Sequence, residues 1–484
     1  MYTDYQDARD WLQIVDKMGE LKKFDGVDWD QELGMIMFLA STKDTDAPAV
    51  LFDNIKGSPK GYRVLVNRTN SRKRLAMTCR IETPKTDMEL VDLLRHKLKD
   101  IKKTPTKTVK DGPILQNIQK GNDIDLFKFP TPRFSPEDGG RYIGTGVAEV
   151  TKDPETGWIN VGAYRTMIST KDSVLTMIDF GQHGDLHRTK YFAQGKPMPA
   201  VIICGGDPLL HVVASWPLPY GANEYEYMGG IMGRPVEVIE GPATGLPIPT
   251  NAEIAIEVEY LPDESRIEGP FAEWTFSYGS GARPEPVGRV LSVLHRDDPI
   301  LFGKFGAGKS RRGVGGDRIV YNALAKSASI WNEMEAAGVP DVKGVWCHPV
   351  GMHNWIVVSI KQRYLGHSKQ AGLVAASCGS GNWYGRYIIV VDDDIDPSFD
   401  WDVIYALQMR SDPERSIQVL KGVRSGKLDT AFIPEERGLS NKAIIDATIP
   451  FEWSPENRAL AQQVKSDKVT RQRVIDRWGD ALLK

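Results

Sequence analysis

Two acidic residues with a turn between them are the strongest candidates for chemistry in this sequence. Glu268 and Glu273 lie five residues apart in the segment Arg-Ile-Glu-Gly-Pro-Phe-Ala-Glu, with Gly269-Pro270 between them. A turn at Gly-Pro brings both side chains to one side of the chain, whereas regular strand alternation would separate them. When two carboxylates lie close together, repulsion raises the pKa of one of them and makes it a usable acid near neutral pH. The same spacing also fits two solvated loop glutamates.

A second set of polar side chains lies on or beside strand-like segments. Asn160 and Arg165 bound a strand-like run with a polar face, His183 follows a β segment, and Glu224 lies among aromatic residues. An amide oxygen, an imidazole and a carboxylate suit Mn²⁺ or Mg²⁺. The three candidate ligands are far apart in sequence, and each alone is typical of a structural or solvated side chain. The metal and structural interpretations therefore both stay open.

A glycine-rich segment predicts a rival class of enzyme. Residues 303–310, from Gly303 to Lys309 and Ser310, match the pattern GxxxxGK[ST], and Tyr387–Asp392 looks like a strand carrying a Walker B acid. A P-loop needs a helix N-terminus directly after it to hold the phosphates. Three of the four residues 313–316 are glycines, which would cost a helix about 2–3 kcal/mol. A nucleotide hydrolase remains the rival hypothesis.

The same segment is basic, which allows two further interpretations. It is a solvated loop, the default for a run of charge, or it binds an anionic part of a substrate such as a second acidic group or a CoA moiety. The residues concerned are Lys304, Lys309, Arg311 and Arg312.

The elements that must position these residues fall into four stretches. With 484 residues the chain is too long for a single hydrophobic core. We expect an N-terminal α/β region over residues 1–110, with helices predicted from apolar spacing at 4–22 and 87–103. Short strands separated by Gly/Pro turns predict a barrel or sandwich over 111–315. An α/β domain is expected over 316–450, followed by a helical segment over 451–484.

Composition limits the class of protein. Hydrophobic residues make up 41% and charged residues 26%, and the net charge is −3, so no basic excess points to nucleic acid or an acidic membrane surface. No apolar run reaches the roughly 18 residues that a membrane span needs, and the N-terminus lacks the apolar stretch of a signal peptide. The four cysteines show no metal-binding spacing. We expect free thiols and a cytoplasmic, globular enzyme.

Taken together in order and spacing, these segments resemble the UbiD family of reversible decarboxylases, over roughly residues 110–450. So many ordered matches are more specific than any one motif. The matching segments are Asn160-Val-Gly-Ala-Tyr-Arg165, Gln182-His183, Glu224 in Asn-Glu-Tyr-Glu-Tyr-Met-Gly-Gly, Glu268-Gly-Pro-Phe-Ala-Glu273, Gly366-His-Ser-Lys369-Gln, and Ile388-Ile-Val-Val-Asp-Asp-Asp-Ile.

The resemblance implies a fold of the α+β class. It consists of an N-terminal α/β region, a central split β-barrel of the flavin-reductase type, and a C-terminal α/β domain with a terminal helix. The active site is expected between the barrel and the C-terminal domain. The resemblance also implies homodimers or larger assemblies, formed through the C-terminal domain and its helical segment.

The resemblance further implies a cofactor, prenylated FMN, which a partner prenyltransferase supplies. Asn160, His183 and Glu224 are expected to bind a divalent metal, usually Mn²⁺, that bridges the cofactor phosphate, with K⁺ beside it. Gln182 and Lys369 are expected to contact the cofactor, Lys369 through the phosphate. The cofactor acts as an electron sink when the C–CO₂ bond breaks.

Arg165, Glu268 and Glu273 match the catalytic network of the family, and Arg165 is expected to contact the cofactor as well. Arg165 would hold the substrate carboxylate, Glu273 would donate the proton, and Glu268 would set the position of Glu273. The implied reaction is reversible, non-oxidative decarboxylation of an aromatic or heteroaromatic acid, with hydroxybenzoates such as protocatechuate or gallate as candidates. A non-catalytic flavin-binding protein is the remaining alternative.

Overall fold

The computed structural model describes residues 4–41, 47–275, 277–303, 317–349, 353–464 and 467–482, without the side chains of 41, 317–322, 468, 480 and 482. The P-loop-like segment beyond Gly303, including Lys304, Lys309, Arg311 and Arg312, lies outside the described residues.

The N-terminal region forms a small four-stranded sheet in the order β1-β2-β3-β16. Its fourth strand comes from residues 300–302, far along the chain, and runs parallel to β3. Trp11 and Phe302 are fully buried in the core of this region. Its elements are α1 (Ala8–Lys17), β1 (Leu21–Asp25), α2 (Glu32–Ser41), β2 (Ala49–Asp53), β3 (Arg63–Val66), α3 (Arg72–Thr78), α4 (Asp87–Lys99) and β16 (Ile300–Phe302).

The central region is a curled, open sheet in the order β6-β9-β10-β15-β14-β11-β7-β8, with β5 paired to β15. This half-barrel confirms the predicted split β-barrel. A side sheet has the order β13-β12-β4. The strands are β4 (Lys107–Thr108), β5 (Asn117–Lys120), β6 (Tyr142–Gly144), β7 (Ala148–Lys152), β8 (Ile159–Gly162), β9 (Arg165–Thr170), β10 (Ser173–Met177), β11 (Met198–Ile203), β12 (Glu237–Glu240), β13 (Pro247–Pro249), β14 (Ile254–Glu268) and β15 (Arg283–His295).

Three helices interrupt the strands of the barrel, and two of them begin at predicted metal ligands. The helices are α5 (His183–Ala193), α6 (Pro208–Val213) and α7 (Glu224–Met232). Asn223 caps α7 because its side chain accepts a hydrogen bond from the N–H of Tyr225. His183 and Glu224 are therefore both first-turn residues.

The C-terminal domain is built on a mixed five-stranded sheet in the order β17-β18-β19-β21-β20. β18, β19 and β21 are parallel neighbours, and an antiparallel strand covers each edge. The elements are α8 (Asp317–Ala336), β17 (Val342–Cys347), β18 (Trp355–Ile360), α9 (His367–Ser377), α10 (Gly379–Asn382), β19 (Tyr387–Asp392), α11 (Asp400–Arg410), α12 (Pro413–Ser416), β20 (Ile417–Arg424), β21 (Leu439–Ala447), α13 (Pro455–Leu460) and α14 (Lys468–Leu482).

Two local expectations differ from the structure. The polar run that begins at Asn160 is not one strand, because the chain leaves β8 at Ala163 and Tyr164 before β9 begins at Arg165. β8 pairs with β7, whereas β9 pairs with β6 and β10. Asn160 and Arg165 therefore lie in different parts of the sheet. The C-terminal segment likewise forms two helices rather than one.

The N-terminal region also contacts the C-terminal domain. Helix α4 packs on α8 through Leu90, Val91 and Leu94, and the guanidinium of Arg95 lies 4.2 Å from the ring centre of Trp331. Within the described chain, no helix is both long enough and apolar enough to cross a membrane. The four cysteines carry unpaired thiols.

One acidic side chain is buried inside the barrel without an ion-pair partner among the described residues. Glu149 of β7 has no exposed surface, and the hydroxyl of Tyr260 and the charge of Arg188 offset only part of the cost of burying its carboxylate. Burial raises the pKa of Glu149 from 4.5 to about 8. The folded chain therefore holds a proton at neutral pH that the unfolded chain releases.

The difference between the pKa of Glu149 in the folded chain and in the unfolded chain predicts that folding stability depends on pH. As the pH rises from 4.5 to about 8, the wild-type chain should lose stability relative to Glu149→Gln, because only the wild-type folded state retains the extra proton. The expected slope is about 1.4 kcal/mol per pH unit inside this window, and it disappears above the window. Urea unfolding midpoints of both proteins across the window measure the effect. Parallel pH curves for the two proteins would contradict the assignment.

Candidate active site

The predicted acidic pair meets at one guanidinium. Arg165 donates from Nε to Glu268 Oε1 at 2.9 Å and from Nη2 to Glu268 Oε2 at 2.7 Å. Its Nη1 contacts Oε1 of Glu273. The side chains of Arg165 and Glu268 expose 8% and 0% of their surface, and that of Glu273 exposes 6%. The pair is therefore a buried three-residue network rather than two solvated loop glutamates.

Local backbone geometry brings the two acids to the same side. Strand β14 ends at Glu268, and Gly269 then adopts a φ of +86°. A Cβ at Gly269 would lie 2.5 Å from the carbonyl oxygen of Gly281, so only glycine fits this turn. The N–H of Glu273 donates to the carbonyl of Ser277 at 3.0 Å, which fixes the far end of the turn.

Burial strengthens the electrostatics of this network. Burial alone would lower the pKa of Arg165, but the charges of Glu273 and Glu268 outweigh it and raise the pKa, so the guanidinium stays charged. The hydroxyl of Tyr142 donates to Oε1 of Glu268 at 3.0 Å. Burial, together with the charge of Glu268, raises the pKa of Tyr142, so Tyr142 stays a proton donor to that carboxylate.

The guanidinium retains donors for a ligand. A guanidinium has five N–H groups, and the contacts with Glu268 and Glu273 use three of them. One N–H remains on each terminal nitrogen of Arg165, which is the donor pair that a carboxylate accepts in a bidentate contact. The ring of Phe271 lies 5.2 Å from the guanidinium and shields it from water.

Aromatic side chains from both domains surround the neighbouring space. Trp274, which follows Glu273, lies with its ring centre 5.9 Å from that of Tyr384 and 5.5 Å from that of His353. Met177 of β10 packs in the same cluster. Tyr384 and His353 belong to the C-terminal domain and the other two residues to the barrel, so this aromatic wall lies where the two domains meet.

The predicted metal set converges on β8. The carboxylate of Glu224 accepts a hydrogen bond from the N–H of Val161 at 2.7 Å, next to Asn160. The indole of Trp158 lies 5.0 Å from the ring of His183, and its N–H donates to the carbonyl of Ala222 at 2.6 Å. Trp158 thus ties the start of β8 to both helices that carry the other two candidate ligands.

The chemistry of this set fits a divalent cation. Burial raises the pKa of Glu224 to about 8, and no described lysine or arginine forms an ion pair with it. Burial also lowers the pKa of His183, which favours the neutral imidazole that a metal requires. Within the described chain, no three His, Cys, Asp or Glu side chains cluster as a metal site. The candidate set contains two such side chains and the amide of Asn160.

Two further predicted residues have different surroundings. The side chain of Gln182 accepts from the N–H of Asp179 at 2.9 Å and lies directly before α5, beside His183. Lys369 is exposed at the start of α9 and lines a pocket of about 600 Å³ formed by C-terminal residues such as Met409 and Trp453. The structure does not bring Lys369 together with the other predicted cofactor residues.

The Walker B interpretation does not fit the structure. The strand at Tyr387–Asp392 is present as β19. However, Asp392 accepts hydrogen bonds from the N–H of Ile449 at 2.6 Å and from the side chain of Gln362 at 2.7 Å, and it lies 3.4 Å from Arg410. The carboxylate of Asp392 therefore has a structural role, because it links Gln362, Ile449 and Arg410 within the C-terminal domain.

Sequence reasoning missed several residues of the site. Tyr142, Phe271 and Trp274 shape the surroundings of Arg165, and Trp158 organises the metal set. Phe271 and Trp274 flank Glu273 in sequence, which is a usable signal. Tyr142 and Trp158 carry no motif that separates them from ordinary core aromatic residues.

Family models match most of the chain. The N-terminal, Rift-related and C-terminal domains of 3-octaprenyl-4-hydroxybenzoate carboxy-lyase match residues 12–94, 107–309 and 320–447. The chain belongs to the UbiD family. UbiD decarboxylases are carboxy-lyases, so this protein is an enzyme of that class.

Curated relatives of this UbiD protein act on aromatic acids. It is 29% identical over 494 residues to pyrrole-2-carboxylic acid decarboxylase of Pseudomonas aeruginosa, covering 98% of each chain. It is also 29% identical to phenolic acid decarboxylase of Bacillus subtilis, covering 96% of this chain and 97% of that one.

Solved UbiD structures share the whole fold. Vanillic acid decarboxylase of Sedimentibacter hydroxybenzoicus, in its closed form, superposes with a TM-score of 0.86 at 27% identity and 100% coverage of both chains. The UbiD-class enzyme HmfF of Pelotomaculum thermopropionicum, solved in complex with FMN, has a TM-score of 0.82 at 24% identity, covering 96% of this chain and 98% of that one, and supports the fold.

Proposed function

We propose that this UbiD enzyme is a reversible, non-oxidative decarboxylase of an aromatic or heteroaromatic carboxylic acid that uses prenylated FMN. The observation that carries the proposal is the buried network in which Arg165 contacts both Glu268 and Glu273. One cation between two acids offers a place for a substrate carboxylate and a nearby group that can move a proton.

Each residue of the network has one task in the proposed reaction. Arg165 binds the substrate carboxylate through its two remaining N–H groups and orients the C–CO₂ bond. After CO₂ leaves, Glu273, which has taken up a proton from water, delivers that proton to the ring carbon that carried the carboxylate. Glu268, held by Tyr142 and by Arg165, keeps the guanidinium in place while the charges change. In the reverse direction the same groups remove the proton and receive CO₂.

The proposed cofactor supplies an electron sink for the carbon that loses CO₂. We propose that Asn160, His183 and Glu224 hold Mn²⁺ against the cofactor phosphate, with K⁺ near Glu224. The first turns of α5 and α7, at His183 and Glu224, support this assignment because helix N-termini favour anions such as phosphate. Gln182 and Arg165 remain predicted cofactor contacts, whereas the position of Lys369 in the C-terminal pocket does not support the same role for Lys369.

The substrate class follows from the aromatic wall. Trp274, Tyr384 and His353 offer flat faces beside the carboxylate-binding network. A planar ring therefore fits better than a flexible chain. The named substrates of the relatives, pyrrole-2-carboxylic acid and phenolic acids, support a heteroaromatic acid or a hydroxybenzoate such as protocatechuate or gallate.

We also propose a homo-oligomer in the cytoplasm, supplied with cofactor by a prenyltransferase. The helical segment over residues 451–484 would form contacts between copies. Leu460, Val469 and Trp478 of this segment expose 85%, 76% and 51% of their surface, which supports a role in burying apolar area against a second chain.

The proposal predicts CO₂ release and ring-proton exchange from aromatic acids. Protein made together with a prenyltransferase should release CO₂ from at least one acid in a panel of pyrrole-2-carboxylate, vanillate, protocatechuate and gallate. In D₂O, the product should carry deuterium at the carbon that lost CO₂. The bound cofactor is identified by mass spectrometry.

Two other outcomes would replace this proposal. A loaded protein that releases no CO₂ from any acid and exchanges no ring proton is a non-catalytic flavin-binding protein. ATP hydrolysis that disappears in Lys309→Ala would instead support the nucleotide hydrolase.

A further inference from the structure

A buried hydroxyl lies directly behind the amide of Asn160. Thr151 of β7 is the cross-strand partner of Asn160 on β8, and both side chains are almost fully buried. The Nδ2 of Asn160 donates to Oγ1 of Thr151 at 3.3 Å. The same Oγ1 lies 2.9 Å from Nδ1 of His187, one turn after His183 on α5. These three side chains form a chain of hydrogen bonds that leads away from the predicted metal set.

The direction of these hydrogen bonds decides whether the oxygen or the NH₂ group of the Asn160 amide faces the predicted metal set. Thr151 has one hydroxyl proton, and when it goes to Nδ1 of His187 the oxygen can only accept from Asn160. The second neighbour on that side, the hydroxyl oxygen of Tyr164, lies 3.5 Å from Nδ2 of Asn160 and already accepts from the N–H of Gly184 at 3.0 Å. The hydroxyl of Thr151 therefore selects the NH₂ end of Asn160, and the hydroxyl oxygen of Tyr164 is compatible with that orientation.

His187 is suited to the acceptor role. It has no exposed surface, and the described residues offer no hydrogen-bond partner to its Nε2. Its ring is perpendicular to that of Trp158 with the centres 4.8 Å apart, an arrangement in which an edge proton meets a π face. A neutral imidazole with its proton on Nε2 and an acceptor at Nδ1 satisfies this geometry.

We infer that Thr151 and His187 are positioning residues that turn the oxygen of Asn160 toward the divalent cation; this inference rests on the proposed metal site. An asparagine can bind a cation only through Oδ1, because its NH₂ group has no lone pair to offer. Because the amide is buried, it takes the orientation in which its hydrogen bonds to neighbouring side chains are satisfied. Thr151, which contacts Asn160 and His187, thereby sets the ligand strength of Asn160.

The test measures Mn²⁺ affinity of the cofactor-free protein from the EPR signal of free Mn²⁺. Thr151→Val removes the hydroxyl at nearly constant volume and should weaken binding about 10–100-fold, the usual effect of losing a partner behind a metal ligand. His187→Phe should weaken binding in the same direction. Thr151→Ser keeps the hydroxyl and should restore affinity.

Two controls separate positioning from general damage. Thr176→Val removes a buried barrel hydroxyl that binds Tyr260 at 2.6 Å, outside the metal set, and should leave Mn²⁺ affinity unchanged. Asn160→Asp presents oxygen at both ends of the side chain, so orientation no longer matters. On that background Thr151→Val should cost much less affinity than on the wild-type background.

The possible results are distinguishable. An equal loss from Thr151→Val on both backgrounds, or no loss on the wild-type background, overturns the positioning role while leaving the metal site intact. A wild-type protein that its thermal unfolding curve shows to be folded, but that binds no Mn²⁺ either cofactor-free or with FMN added, overturns the proposed metal site and this inference with it.

Discussion

Replacing Glu273 by Gln is expected to lower the rate of CO₂ release about 10²–10⁴-fold, the usual contribution of a positioned proton donor. The amide keeps the size of the side chain and an oxygen that can accept from Arg165, so binding of the acid should change little. It has no acidic proton to deliver. The variant should therefore lose kcat rather than raise KM, and it should lose deuterium exchange into the product to the same extent.

A matched control is available in the same chain. Glu253 is fully buried and accepts two hydrogen bonds from Arg9, each at 3.0 Å, between the N-terminal region and the barrel. Glu253→Gln makes the same chemical change in another buried glutamate that pairs with an arginine, and it should lower thermal stability while the turnover of the folded protein is unchanged. Full activity in Glu273→Gln would remove Glu273 from the reaction.

The second large effect is expected at Arg165. Arg165→Met leaves the carboxylate of Glu268 buried without its bidentate partner, so folding stability should fall by about 3–5 kcal/mol. The variant also loses the group that binds and aligns the substrate carboxylate, so kcat/KM should fall on the order of 10²-fold or more. Urea unfolding and CO₂ release from the same preparation measure the two losses.

A second substitution separates the two effects. Adding Glu268→Gln to Arg165→Met removes one of the two buried carboxylates that lost their cation, so part of the lost stability should return while activity should not. If the double variant regained activity together with stability, Arg165 would act only through folding. If Arg165→Met lost no stability, the buried ion pair with Glu268 would not be a significant part of the fold.

Part of the site was predictable because its chemistry is local. Glu268 and Glu273 flank a Gly-Pro turn within one short segment, so the sequence alone identifies them as a candidate pair. Their partner Arg165 is 103 residues from Glu268, and only the resemblance to a family connected them. No periodicity in sequence reports a hydrogen bond between distant strands, since pairing across a sheet is decided by global topology.

Other features depended on burial, which a short pattern does not reveal. Asn160 and Arg165 looked like one strand, yet the sheet divides them between β8 and β9. Asp392 follows a run of apolar residues, as a Walker B acid does, but packing gives its carboxylate structural partners. Thr151 and His187 carry no signal in the sequence, because a threonine on a strand and a histidine on a helix are ordinary until both are buried together.

The position of β16 has a consequence for the order in which the chain folds. Residues 300–302 complete the N-terminal sheet by pairing with β3, which ends at Val66. The ribosome must therefore synthesise the whole barrel before β16 can pair with β3. Until then the edge of β3 is unpaired. The first hundred residues consequently cannot finish folding as they emerge. The N-terminal sheet can therefore be complete only after the barrel residues that precede β16 have been synthesised.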